Sequence, residues 1–187
     1  MGAAVDVSVV IPTYNRLQTI VEAIESVRAQ GDEVEIVVVD DGSTDDTAER
    51  LAQRFGTCVR VERLPCNQGV SAARNHGWRT ARGSLVAFLD SDDVWLPGAL
   101  SALRAPFADP RTLAVHGIVG HMNEAGFLLA RKSAMQSRFY ADALRRGYDY
   151  AGITAMWPRI YPSGLMLRRD LLDRTGGFDE RMRIFED

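Results

Sequence analysis

Lysine is almost missing from this chain: Lys132 is the only one, so arginine supplies nearly all of the 22 basic side chains set against 25 acidic ones. The net charge of −3 and the scatter of the arginines give no electrostatic footprint for a polyanion, so nucleic acid is not an expected partner. Cysteine is scarce as well. Cys58 and Cys66 cannot by themselves build a disulfide framework or a four-ligand zinc site, and a reduced, cytoplasmic setting is the simpler expectation. No stretch approaches the roughly 18 apolar residues of a membrane span. The opening MGAAVDVSVVIP has neither the basic region nor the long apolar segment of a signal peptide, and Asp6 stands where a myristoylation pattern wants Ser or Thr. The three histidines, His76, His116 and His121, share no metal-ligand spacing with a carboxylate. Repeats, linkers and low-complexity tracts are also absent. What remains, at 187 residues, 46% apolar and 25% charged, is an ordinary balance for one globular domain.

Hydrophobic periodicity organises that domain. VSVVIPTYN reads as a buried strand stopped by Pro12, VEIVVVDDG as a second continuous β-branched run, CVRVERL as an alternating third strand and SLVAFL as a fourth. Between them, Leu17, Ile20, Val21, Ile24 and Val27 recur at helical spacing over residues 16–29. Ser43 is placed to cap a helix with apolar face Ala48, Leu51, Ala52 and Phe55, ended by Gly56. Residues 69–81 look helical despite Gly77, and LPGALSALRAPF makes a helix from about Pro97. Near-unbroken apolar strands alternating with helices indicate a mostly parallel sheet covered on both faces, an α/β fold. Past residue 112 the pattern loosens. TLAVHGIVGHM and SGLMLRR are expected strands, residues 133–146 and RDLLDRT expected helices, and the chain stops at FED in sequence that still looks ordered, as a truncated fragment would.

The chemistry gathers where strands end. In an open parallel sheet ligands sit beyond the carboxyl ends of the strands, and PTYN, DDGS and DSDD follow strands one, two and four. The fourth is the extreme case, because LVAFL runs straight into Asp90, Ser91, Asp92 and Asp93. Unit charges 4 Å apart repel by ~4 kcal/mol at an effective dielectric near 20. Either a carboxylate stays protonated or a cation neutralises the cluster. With no lysine nearby in sequence, a hard divalent ion such as Mg²⁺ or Mn²⁺ is favoured, an oxygen-seeking ion that commonly takes one or two carboxylates plus substrate phosphates. The competing reading is a solvated loop that caps the following helix.

The blocks VSVVIPTYNR, EIVVVDDGSTDDT, NQGVSAARNHG, VAFLDSDDVWLP and GGFDERMRIFED occur in the order found in the family 2 glycosyltransferases. The chain resembles that family over nearly its whole length. Each block is moderately specific; five in order are a strong signal. The resemblance implies a single GT-A domain over residues 1–187, a Rossmann-like, mostly parallel sheet flanked by helices. Residues 1–110 would form the nucleotide-sugar-binding half and residues 111–187 an acceptor-side half incomplete at its C-terminus. It implies an inverting transfer from a nucleoside-diphosphate sugar, UDP- or dTDP-type favoured, to a hydroxyl acceptor, with Mn²⁺ or Mg²⁺. Pro12, Thr13 and Tyr14 would line the base pocket, Asp41 would accept a hydrogen bond from the base imide, and Arg74 would reach the donor. Asp92 of the Asp-x-Asp motif would ligate the metal, and Asp90 would contact the ribose or the ion. Asp187 would be the catalytic base. The resemblance leaves membrane-peripheral placement of a longer protein open. Tyr148, Tyr150, Trp157 and Tyr161 read first as core aromatics and second as an acceptor wall, and Trp95 as core.

Two rivals stay in view. A nucleotide-sugar-binding module without turnover would carry the same motifs. A haloacid-dehalogenase-type phosphatase also places Asp-x-Asp-x-Val after an apolar strand, as DSDDV does, although there the motif follows the first core strand and here three strand–helix units precede it. A dinucleotide-binding oxidoreductase is weaker still, because IPTYNR stands where a glycine-rich turn should follow strand one.

Overall fold

Strand β1 (Val7–Thr13) is buried along its whole length, as a β-branched run with helices on both sides should be. The computed structural model describes residues 6–31, 34–117, 119–120, 122 and 161–182. Among them β1 is joined in one sheet by β2 (Val34–Asp40), β3 (Arg60–Arg63), β4 (Leu85–Phe88), β5 (Ala114–His116) and β6 (Leu165–Arg168), in the order β3-β2-β1-β4-β6-β5. The first four run parallel. β6 pairs antiparallel with β4, and β5 antiparallel with β6.

Among the described residues five α-helices cover the faces: α1 (Leu17–Arg28), α2 (Thr47–Phe55), α3 (Val70–Thr80), α4 (Ala99–Arg104) and α5 (Arg169–Thr175). Alternation along β1 assigns them. Val9 and Ile11 face a core with Ile20, Ile24 and Val27 of α1 and Leu100 and Leu103 of α4. Val10 faces the other way, toward Ala73 and Trp78 of α3 and Leu172 of α5. Burying each such Val, Ile or Leu side chain is worth about 1.5–3 kcal/mol, so both faces contribute heavily. Gly77 is explained by this packing, since a Cβ there would come within 2.3 Å of Val10 Cγ1. The helix lies too close to β1 for any side chain at that point.

The structure departs from the sequence reading in three places. Pro12 does not stop β1; it lies inside the strand, in register with Val39. Val10 accepts from Leu89 N on the β4 side and Thr13 accepts from Asp41 N on the β2 side, so alternation turns Pro12 toward β4. The β4 ladder ends at Phe88, opposite Val10, and the missing N–H costs no sheet bond. Ser43 caps no helix. α2 begins at Thr47, and the Ser43 hydroxyl accepts the Asn15 N–H at 2.9 Å instead. Within TLAVHGIVGHM the described residues form the short β5, after which Gly117 N donates to Gly164 O at 2.7 Å; residues 118 and 121 lie outside the described residues. The helix expected over residues 133–146 lies outside the described residues, and no helix among them is long and apolar enough to cross a membrane.

Candidate functional site

The strand order places the carboxyl ends of β2, β1 and β4 side by side. From β1 the chain winds outward to β2 and β3, then returns through α3 to β4 on the other side of β1. The point of reversal, between β1 and β4, is where open α/β sheets take their ligands. The segments PTYN, DDGS and DSDD therefore share one rim.

Thr13 closes β1 with its side chain buried and Oγ1 without a hydrogen-bond partner, while Tyr14 next to it is 41% exposed. Asn15 takes a left-handed backbone conformation, φ 52°, and is the one non-glycine residue among those described to do so. Its Oδ1 accepts Thr44 N at 2.8 Å and Asp45 N at 3.4 Å, and its own N–H donates to Ser43 Oγ. The loops after β1 and β2 are thus laced together beneath Tyr14.

The two acids of DDGS point to different tasks. Asp40 is fully buried; its Oδ1 accepts Ser43 N at 2.9 Å, and the Arg63 guanidinium stands 3.7 Å from Oδ2. Asp41 is nearly as buried, and its carboxylate accepts the N–H groups of Gln68 and Gly69, each at 2.8 Å, just before α3. Gly42 permits this approach. With φ 73°, it lies so near the Cys66 backbone that a Cβ would sit 2.6 Å from the carbonyl carbon. A base imide would therefore share Asp41 with two backbone donors.

The tip of β4 separates its three carboxylates. Asp90 pairs with Arg74 of α3 at 2.5 Å, the pair partly shielded from solvent. Asp93 accepts the Ser163 hydroxyl in a short contact. Asp92 is exposed and makes no hydrogen bond or ion pair with the described residues. The counter-charge that no nearby lysine supplies comes from an arginine 16 residues earlier. Trp95 is core, 7% exposed, with its indole N–H donating to Ser163 O at 3.0 Å. Among the described residues no group of three or more His, Cys, Asp or Glu side chains could hold a metal alone. One unencumbered carboxylate beside a second, arginine-paired one suits an ion shared with substrate phosphates rather than an all-protein cage.

Arg74 also stacks over the Phe178 ring, 5.5 Å from its centroid. Its neighbour Asn75, 1% exposed, uses Oδ1 to accept Phe178 N at 2.9 Å and the Trp78 indole at 3.0 Å. Asn75 Nδ2 donates to Phe178 O and Glu180 Oε1, both at 2.8 Å. The GGFDER segment is thereby docked on the helix that holds Asp90. Gly177, φ 82°, is required because a Cβ would meet Asn75 Oδ1 at 2.4 Å. Asp187, Tyr148, Tyr150 and Trp157 lie outside the described residues.

Pro12, Thr13, Tyr14, Asp41, Arg74, Asp90 and Asp92 are thus brought to one end of the sheet. Sequence reasoning passed over Asn15, Asn75 and Ser163. The first two sat inside quoted blocks, and an asparagine after a strand is a signal for a left-handed turn. Ser163 carried no signal, since its partners lie about 70 residues away.

Comparison with known proteins agrees with this architecture. The chain is 48% identical to succinoglycan biosynthesis protein ExoO of Rhizobium meliloti (strain 1021), over 97% of this chain and 53% of that one. Its fold matches S. aureus TarS 1-349 solved in complex with UDP, with a TM-score of 0.70 at 23% identity, covering 97% of this chain and 52% of that one. It likewise matches mannosyltransferase PcManGT from Pyrobaculum calidifontis, solved with GDP-Man and Mn²⁺, with a TM-score of 0.69 at 26% identity, covering 93% and 47%. The chain spans about half the length of the curated relatives it matches along most of its own length. The family description Glycosyl transferase family 2 fits residues 8–176, which takes in every strand and helix described above except the first residue of β1, and the chain belongs to that family, with the GT-A fold.

Proposed function

We propose that this domain binds a nucleoside-diphosphate sugar, uracil or thymine base favoured, and transfers the sugar with inversion to a hydroxyl acceptor with the help of Mn²⁺ or Mg²⁺. The observation that carries the reading is the bare, exposed Asp92 beside the arginine-paired Asp90, at the switch point between β1 and β4. A neighbour in fold, PcManGT, was solved with a sugar nucleotide and Mn²⁺ together, which supports the same pairing of ligands here. Membership of the glycosyltransferase family removes the reason for a phosphatase reading of DSDDV.

Each residue then has a task. Tyr14, exposed at the rim, offers its ring to the base, with Pro12 and Thr13 behind it. Asp41, already oriented by two backbone N–H groups, accepts a third donor from the base imide. Arg74 holds Asp90 and presents positive charge to the donor. Asp92, assisted by Asp90, would hold the ion. Bound there, such an ion offsets the charge that builds on the departing nucleoside diphosphate. Asp187 takes the proton from the acceptor hydroxyl as its oxygen attacks the anomeric carbon. Attack comes from the face opposite the leaving group, so the anomeric configuration inverts.

Calorimetric titration of the full-length protein with UDP, with and without Mn²⁺, tests the reading. Mn²⁺ should tighten UDP binding, and Asp92→Ala should lose most of that gain, about tenfold or more. Equal affinity of the two proteins in Mn²⁺ would remove Asp92 as ligand. Asp187→Asn should leave UDP affinity intact and slow transfer by about 10²–10⁴-fold. Retained turnover would dismiss it as the base, and a parent protein that binds UDP without transferring any sugar would turn the reading to a binding module.

A further inference from the structure

We infer that Ser163 is a positioning residue for the acidic turn, setting the direction of Asp92 without touching donor or ion; the inference rests on the reading of Asp92 as metal ligand. Ser163 sits in the short 3₁₀ turn Pro162–Gly164 that leads into β6, and is itself 6% exposed. It grips the turn after β4 at three points. Its hydroxyl oxygen accepts Asp90 N at 3.0 Å, its hydroxyl proton goes to the Asp93 carboxylate, and its carbonyl accepts the Trp95 indole at 3.0 Å. Inside the turn, Asp93 N donates to Asp90 O at 3.1 Å. A fourth point comes from α1, where Ser26 Oγ accepts Trp95 N at 3.0 Å.

The consequence is geometric and electrostatic. One small hydroxyl fixes the residues on either side of Ser91-Asp92, so the only carboxylate of the three left unengaged is forced outward. It also gives the Asp93 carboxylate a donor, offsetting part of the repulsion that three acids on one turn carry. Groups that orient metal ligands from behind typically cost 10–100-fold in metal affinity when removed.

The test is Mn²⁺ affinity at saturating UDP, read by the electron paramagnetic resonance of free Mn²⁺, in the full-length protein. Ser163→Ala should weaken Mn²⁺ binding about 10–100-fold while metal-free UDP affinity stays near the parent's. Asp93→Asn, which keeps an acceptor for the hydroxyl, should lie close to the parent, and Asp93→Ala should fall with Ser163→Ala. Mn²⁺ affinity unchanged in Ser163→Ala, with Asp92→Ala weakened, overturns the role of Ser163 and leaves the metal ligand standing. No Mn²⁺ dependence in the parent overturns both. Should Ser163→Ala fail to fold, the Asp93 pair decides: Asp93→Ala and Asp93→Asn both at parental Mn²⁺ affinity would overturn the inference.

Discussion

β1, β2 and β4 are held by parallel backbone ladders and by two layers of buried Val, Ile and Leu, whereas the stretch from Tyr161 to Met182 combines the β6 ladders and the buried Met166 and Leu172 with single polar side chains that pin its turns to the sheet. Ser163 grips the turn after β4, and Arg168 donates to Thr112 O at 2.8 Å and Phe107 O at 3.0 Å. Arg169 caps the end of α3 through Trp78 O and Gly83 O, and Asn75 holds Phe178 from both sides of its peptide. The first kind of attachment is distributed, so no one contact decides it. The second is concentrated: removing a pin strands every buried group that it satisfied, and an unmet buried donor or acceptor costs about 1–3 kcal/mol. The rim at the strand ends is built where the two meet. Its floor is made by ladders and its acidic turn and C-terminal approach are set by pins.

The contrast can be broken most forcefully at Phe88, which belongs to both regimes. Its ring is fully buried in the core around α3 and meets Phe178 edge-on at 5.0 Å. Phe88→Ala should lower unfolding free energy by about 3–5 kcal/mol in denaturant titration. A loss under about 1 kcal/mol would mean that the site collapses around the gap as cores seldom do. Asn75→Ala should cost less, about 2–3 kcal/mol, because it strands the Trp78 indole and the Phe178 N–H together. Hydrogen exchange should then accelerate over residues 176–182 while β1 and β2 stay protected; uniform acceleration would refute the division between pins and ladders.

The smallest effect is expected at His116 on β5, where burial lowers the imidazole below its ordinary value of 6.5, partly offset by a hydrogen bond to Tyr161 O at 3.2 Å. A depressed folded value means that the unfolded chain binds its proton first. Stability from this group is therefore complete above pH 6.5 and is lost as pH falls through the folded value. His116→Gln should flatten that acidic limb of the stability curve, and an unchanged slope between pH 6.5 and pH 5 would show that His116 titrates alike in both states.

The same division explains what the sequence made legible. Ladders and distributed cores write themselves as runs and periods, so VSVVIP, EIVVVD and LVAFL could be read as buried strands with their acids at one end, though not in which order they lie. Pins leave no period. Ser163 is one serine among many until Asp90 and Asp93 are folded against it, and the counter-ion of Asp90 looked absent because Arg74 lies on a helix whose position only the crossover determines. Pro12 misled for a related reason: whether an imino acid ends a strand depends on where the neighbouring strand stops, and that is not written beside the proline.

Pro12 has one more effect. Past Val10 and Phe88 the two central strands could in principle go on zipping together, which would seal the gap between their tips. A residue with nothing to donate on that edge makes further zipping unrewarding. The opening between β1 and β4 is in this sense kept ajar by a missing hydrogen, built into the backbone before any ligand arrives.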